Sequence, residues 1–184
     1  MPEIPASGLI LILGGARSGK SSFAERIARE TGLPALFIAT AAALDDEMRD
    51  RIASHRAARP SAWRTLEVQT RLGAALQGIE PPAGPVILDC VTLWVSNILL
   101  SVPEETPAET RMQQVQAEVE AFLVAQRRLG GQWLLVSNEV GMGIVPAYPL
   151  GRIYRDALGW ANQRLAQEAA RVILMVAGIP LVVK

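Results

Sequence analysis

The sequence predicts an α/β protein: a mainly parallel sheet, doubly wound, with helices on both faces. Short β-branched and Leu-rich runs alternate with longer stretches of helical periodicity, the pattern of strand–helix–strand units. A glycine-rich segment joins the first such run directly to the first helical one. The length, 184 residues, suits one domain with a single continuous core.

In order along the chain, the apolar run Leu9–Leu13 reads as the first strand, followed by the glycine-rich segment and a helix over about Lys20–Glu30. Ala35–Ala39 is a second buried strand, and a helical pattern from Asp46 to Arg59 is stopped by Pro60. A short helical stretch, Thr70–Leu76, precedes the strand Val86–Asp89. Helical periodicity then covers Leu93–Leu100 and Pro107–Leu129. Trp133–Ser137 is the next strand, Gly151–Ala169 the last long helix, and Val172–Val176 with Leu181–Val183 two short buried strands joined by a turn at Gly178 and Pro180. The proline-rich segments Glu80–Pro85 and Ser101–Pro107 are excursions from the sheet, too short to separate domains, so residues 1–184 are expected to form a single unit.

Half the residues are apolar and a fifth charged, and the positive and negative charges balance. That balance argues against electrostatic affinity for nucleic acid or anionic membrane, and favours small-molecule partners. Cys90 is the single cysteine. With no internal disulfide and no cysteine cluster for a metal, the expected compartment is the reducing cytoplasm. The N-terminal residues lack a signal-peptide pattern, and no apolar run is long enough to span a bilayer.

The pattern G-x-x-x-x-G-K-[ST] falls on Gly14-Gly15-Ala16-Arg17-Ser18-Gly19-Lys20-Ser21, between a strand and a helix as a phosphate-binding loop requires. Glycines let backbone N–H groups curl around a phosphate, and the helix N-terminus adds positive potential. Lys20 meets the β/γ oxygens, and the Ser21 hydroxyl can ligate Mg2+. The chain has two lysines against sixteen arginines, and Lys20 is the one that is not C-terminal. A compact ammonium is kept where a guanidinium would substitute poorly.

A metal-holding carboxylate is expected at the end of a neighbouring buried strand, and Val86-Ile87-Leu88-Asp89 supplies one. Asp89 would alternatively be the N-cap of the helix after it. Glu139, after the strand ending at Ser137, is a second candidate at the same edge. On the Asp46–Arg59 pattern, Arg51 and Arg59 flank His55, the one histidine, on a single face. Such neighbours would hold a polyphosphate and favour the neutral, nucleophilic imidazole. From spacing alone, a solvated histidine on a basic helix is the better account.

Several strings carry more information than spacing. The loop Gly14–Ser21, then Ile38-Ala39-Thr40, Asp45-Asp46-Glu47-Met48, Arg51-Ile52 before His55, Trp63-Arg64-Thr65 before Glu67, Asn138-Glu139-Val140-Gly141-Met142-Gly143-Ile144-Val145-Pro146 and Asn162-Gln163-Arg164-Leu165-Ala166 occur in order over nearly the whole chain. Together they resemble the bifunctional adenosylcobinamide kinase/adenosylcobinamide-phosphate guanylyltransferase family. The resemblance implies a P-loop NTPase of RecA-like architecture and a homotrimer. It also implies two reactions: phosphorylation of the corrinoid adenosylcobinamide by ATP or GTP, then transfer of GMP from GTP to that phosphate, with release of pyrophosphate.

By position, the resemblance assigns His55 as the residue that takes GMP covalently. The nucleotide-binding set would be Gly14 to Ser21, Ala39, Thr40, Ala41, Arg56, Ala57, Ala58, Arg59, Glu67 and Asp89, with Ser21 and Asp89 towards Mg2+. Residues 1–8 resemble an extension without a family counterpart. A simple P-loop small-molecule kinase and a nucleotide-binding regulatory switch are the competing readings.

Overall fold

The computed structural model describes residues 3–41 and 59–184. Within them seven strands form one sheet, β1 (Gly8–Gly14), β2 (Leu36–Ala39), β3 (Arg64–Glu67), β4 (Val86–Asp89), β5 (Gln132–Val136), β6 (Arg171–Val176) and β7 (Ile179–Val182). Their spatial order is β3-β2-β4-β5-β1-β6-β7, and all neighbours are parallel except the β6–β7 hairpin. The described helices are α1 (Lys20–Glu30), α2 (Leu72–Ala75), α3 (Val91–Leu100), α4 (Ala108–Leu129) and α5 (Pro149–Glu168). The expected helix Asp46–Arg59, with Arg51, His55, Arg56, Ala57 and Ala58, lies outside the described residues apart from Arg59.

Because successive strand residues face opposite sides, the alternation in β1 splits the core in two. Leu9 and Leu11 join Leu36, Leu88, Trp133 and Leu135 beneath α3, α4 and α5. Ile10 and Ile12 join Phe37, Ile87, Leu134 and Ile173 on the other face, against Phe23, Ala24 and Ile27 of α1. The central strands are buried on both sides, which is why they read as continuous apolar runs. On the α3–α5 side, Phe122 packs edge-on against both Trp94 and Trp133, with centroids 5.5 and 5.6 Å away.

Two edges differ from expectation. β3 was not anticipated as a strand: Arg-Thr-Leu-Glu carries one apolar residue, because an edge strand needs no buried face on both sides. β7 begins at Ile179 and is exposed rather than buried, with Ile179, Leu181 and Val182 each about half or more accessible. Ala177 and Gly178 both have positive φ, as a two-residue hairpin with the twist of its strands requires. Pro180 is tolerated because this strand pairs on one side only.

Parallel pairing puts the strand ends level. Ala39 lies beside both Glu67 and Asp89, Asp89 beside Val136, and Val136 beside Ile12, two residues before the phosphate loop begins at Gly14. This carboxyl edge is where open α/β sheets bind ligands.

Candidate active site

The phosphate loop leaves β1 at Gly14 and enters α1 at Lys20. Gly14 allows close packing: a Cβ there would come within 2.6 Å of both the Met175 carbonyl and Ser18 Oγ. Gly19 sits at φ 93° as the α1 N-cap, a conformation that favours glycine. The loop is braced from the β6–β7 turn, where the Gly178 N–H donates to the Ser18 carbonyl (3.0 Å), and from beyond β5, where the Glu139 N–H donates to the Gly14 carbonyl (3.1 Å).

Lys20 is buried, and its Nζ donates to the Gly15 carbonyl at 2.6 Å and lies 3.5 Å from Ser18 Oγ. Burial pushes its pKa below the ordinary lysine value, while Cys90 and Asp89 pull it back up. Asp89, at the end of β4, lines the same cavity as Lys20. A cavity of about 420 Å3 lies here, bounded by Ala16, Arg17, Lys20 and Ser21 on one side and Asp89, Cys90, Thr92 and Asn138 on the next strands' ends. Its far side is Phe37, Ala39, Ala41, Arg59, Thr65 and Glu67.

Asp89 does not cap α3. That role falls to Cys90, whose Sγ accepts from the Leu93 N–H at 3.4 Å, leaving the Asp89 carboxylate on the cavity wall. Burial and the neighbouring Asp89 charge raise the Cys90 thiol to about 11, so it stays protonated at neutral pH. Thr40 is fully buried. Its hydroxyl accepts from the Cys90 N–H and donates to the Cys90 carbonyl, both at 2.8 Å, clamping the β2 end to the β4 end. Asn97 Nδ2 secures the same turn by donating to the Thr40 carbonyl at 2.8 Å.

Arg59 reaches the cavity with its guanidinium 3.3 Å from the centroid of the Phe37 ring and Nη1 3.5 Å from Thr65 Oγ1. Glu67 ends β3 on the same rim. Glu139 turns its Oε1 to the Gly141 N–H at 2.6 Å, and the adjacent Asn138 faces the cavity instead. Asn138 is itself fixed: its N–H donates to Thr92 Oγ1 (2.7 Å) and its carbonyl accepts from Asn162 Nδ2 (3.0 Å). Of the residues expected at the site, the loop, Ala39, Ala41, Arg59, Glu67 and Asp89 come together, Thr40 supports them from behind, and His55, Arg56, Ala57 and Ala58 are outside the described residues. Asn138, at the sheet edge the sequence points to, lines the cavity too, and so do Phe37 of β2, Thr65 of β3 and Thr92 of α3, which no sequence pattern singles out.

The cavity thus places a phosphate loop with Asp89, Glu67 and Arg59 around one hollow, an arrangement suited to a nucleotide. The family model described as cobinamide kinase / cobinamide phosphate guanyltransferase matches residues 10–183. The chain belongs to this family. It is 47% identical over 174 residues to the bifunctional adenosylcobalamin biosynthesis protein CobP of Pseudomonas aeruginosa, covering 95% of this chain and 96% of that protein. It is 41% identical to the bifunctional adenosylcobalamin biosynthesis protein CobU of Escherichia coli, covering 96% and 99%. Among solved structures, the flagellar accessory protein FlaH from Methanocaldococcus jannaschii superposes with a TM-score of 0.52 at 14% identity, covering 98% of this chain and 80% of that one, a likeness of fold alone. The protein is therefore a bifunctional enzyme of cobalamin biosynthesis that uses nucleoside triphosphates, and the plain-kinase and regulatory-switch readings fall away. Among the described residues, no helix is long and apolar enough to cross a membrane.

Proposed function

We propose that one cavity serves both reactions and that guanylyl transfer passes through a covalent GMP–His55 intermediate. The observation that carries this is Arg59: four residues after His55, it forms the cavity wall opposite Lys20 and Ser21. His55 is thus only four positions along the chain from a residue that lines the cavity.

In the kinase step, ATP or GTP is held by the loop amides and Lys20. The substrate hydroxyl attacks the γ-phosphorus, its proton passes to an oxygen of the transferred phosphoryl group, and the nucleoside diphosphate leaves. In the second step the His55 imidazole attacks the α-phosphorus of GTP and pyrophosphate leaves. A phosphate oxygen of adenosylcobinamide phosphate then displaces the histidine, giving adenosylcobinamide-GDP. Splitting the transfer lets the acceptor phosphate approach only after the β- and γ-phosphate charges have left as pyrophosphate, and Arg59 screens the charge that remains in each displacement.

The cavity suits Mg2+, because Ser21 and Asp89 offer it two hard oxygen donors and a hydrated magnesium needs few protein ligands. When bound, the ion neutralises charge developing on the phosphate oxygens. Ala16 and Arg17 at the loop tip, and Glu67 at the β3 end, would contact the nucleotide, with Arg56, Ala57 and Ala58 continuing the set. The homotrimer and the cytoplasmic location implied by resemblance belong to this reading; sedimentation tests the former.

Incubation with α-labelled GTP should leave acid-labile, base-stable label on the protein. His55→Ala should lose that label and adenosylcobinamide-GDP formation while still phosphorylating cobinamide. Undiminished labelling of His55→Ala would sink the reading.

A further inference from the structure

The loop between β5 and α5 is anchored at both ends and apolar in between. At its start the Glu139 N–H holds the Gly14 carbonyl and Glu139 Oε1 accepts from the Gly141 N–H. At its end Arg152 Nη1 donates to the carbonyls of Pro146 (3.0 Å) and Ala147 (2.8 Å). Tyr148 is pressed onto Gly151, where a Cβ would come within 2.7 Å of the ring. Between these anchors Met142 is 84% exposed, Ile144 97% and Val145 59%. Large apolar side chains held out by a tethered loop mark a surface that something covers.

The adjoining helix supplies a floor. Leu93, Ser96 and Leu100 of α3 follow three- and four-residue spacing and so share one face. Leu93 lines the nucleotide cavity, whereas Ser96 and Leu100 line a second depression of about 240 Å3 closed by Tyr148 and Tyr154. The two hollows are thus joined along one helix face, over roughly 10 Å at the helical rise per residue. Its surface is apolar, with hydroxyls at Ser96 and the tyrosines, while the opposite rim carries Arg59 and Glu67, groups suited to a nucleotide.

We infer that this surface is the corrinoid site: the macrocycle of cobinamide lies on the Leu93–Ser96–Leu100 face of α3, walled by Met142, Ile144 and Val145. The occupant is set by continuity. The acceptor's hydroxyl must reach a phosphate held by Lys20, and this floor runs from that cavity outward. A flat macrocycle with apolar faces and an amide-bearing rim matches an apolar floor with hydroxyls at its end. The inference rests on the phosphate loop holding the donor nucleotide, but not on the His55 intermediate.

The test uses the full-length enzyme and its ATP-driven phosphorylation of cobinamide, a step that does not need His55. In Ile144→Ser and Met142→Ser, both at exposed positions, and in Leu100→Ser, the KM for cobinamide should rise roughly tenfold or more. The KM for ATP and the sedimentation coefficient should stay as in the unmodified protein, and Ile144→Leu should keep the KM for cobinamide near its unmodified value. An unchanged KM for cobinamide in all three variants overturns the inference. So does a change in sedimentation that accompanies the KM effect, which would assign the loop to contact with a second copy of the chain.

Discussion

The two walls of the nucleotide cavity are built by different means. On the β1–α1 side the chemistry belongs largely to the backbone: Gly14 and Gly19 take conformations or approaches that side chains resist, Gly178 and Glu139 brace the loop, and buried Lys20 is held by the Gly15 carbonyl. On the β2–β3 side it belongs to half-buried and exposed side chains, Arg59 stacked on Phe37 and Glu67 at the end of an edge strand. A wall made of backbone tolerates almost no substitution, since any change moves every donor at once. A wall made of side chains can be altered one contact at a time, and so can discriminate between nucleotides or between reactions.

The largest effect should come from the first wall. Lys20→Ala removes the charge at the phosphates in both reactions, and each kcat/KM should fall by about 10²–10³-fold, measured in separate phosphorylation and guanylylation assays. Lys20→Arg should not rescue, because a planar guanidinium does not fit where the ammonium is enclosed. The titration has a definite sign. With its pKa depressed chiefly by burial, Lys20 carries the cost of a buried charge while protonated, and that cost is relieved as pH rises from its lowered value towards 10.5. Across that window the free protein should gain stability while triphosphate affinity declines. A decline that begins only at the ordinary lysine pKa would show that burial does not perturb the group.

Legibility in the sequence follows the same division. The phosphate loop could be read directly because its requirements are local: glycines at fixed spacing, a lysine, then a hydroxyl. Asp89 could be read because the apolar run before it ends there, though its alternative as a helix cap was settled only by Cys90 taking that place. The Thr40–Cys90 clamp joins residues fifty positions apart, and no pattern in either segment announces it. β3 stayed hidden because one apolar residue in four leaves no period to detect, and β7 was placed in the core because its Leu-Val-Val run looks buried when only its partner strand is. Helix positions fared better: α4 and α5 begin within two residues of expectation, since 22 and 20 residues give the 3.6 periodicity room to show.

An intermediate effect, confined to one reaction, should come from the second wall. Arg59→Ala removes a guanidinium that is held flat against Phe37, and should raise the KM for GTP in guanylyl transfer by about tenfold. ATP-driven phosphorylation should change by less than about threefold. Arg59→Lys should behave like the alanine variant, because an ammonium does not reproduce the planar stack. Equal losses in both reactions would mean that the two walls act as one unit, and the contrast between them would fail.

The smallest effect should come from Cys90, which sits where the walls meet. Its Sγ caps α3 at 3.4 Å from the Leu93 nitrogen, and serine offers a better acceptor in the same place. Cys90→Ser should therefore shift unfolding stability by no more than ~1 kcal/mol and leave both activities within about threefold. Because burial and Asp89 raise the thiol from 9.0 to about 11, the folded state favours the protonated form. The resulting stability is complete below pH 9 and is lost as pH rises towards 11. Cys90→Ser has no such group, so urea midpoints of the two proteins should keep a constant difference up to about pH 9 and then move in favour of the serine variant. Alkylation by iodoacetamide should likewise be slow at neutral pH and accelerate only as the thiolate forms. Rapid alkylation near neutral pH would place Cys90 in an electropositive, open setting, and would imply that Lys20, not burial, governs this corner of the cavity.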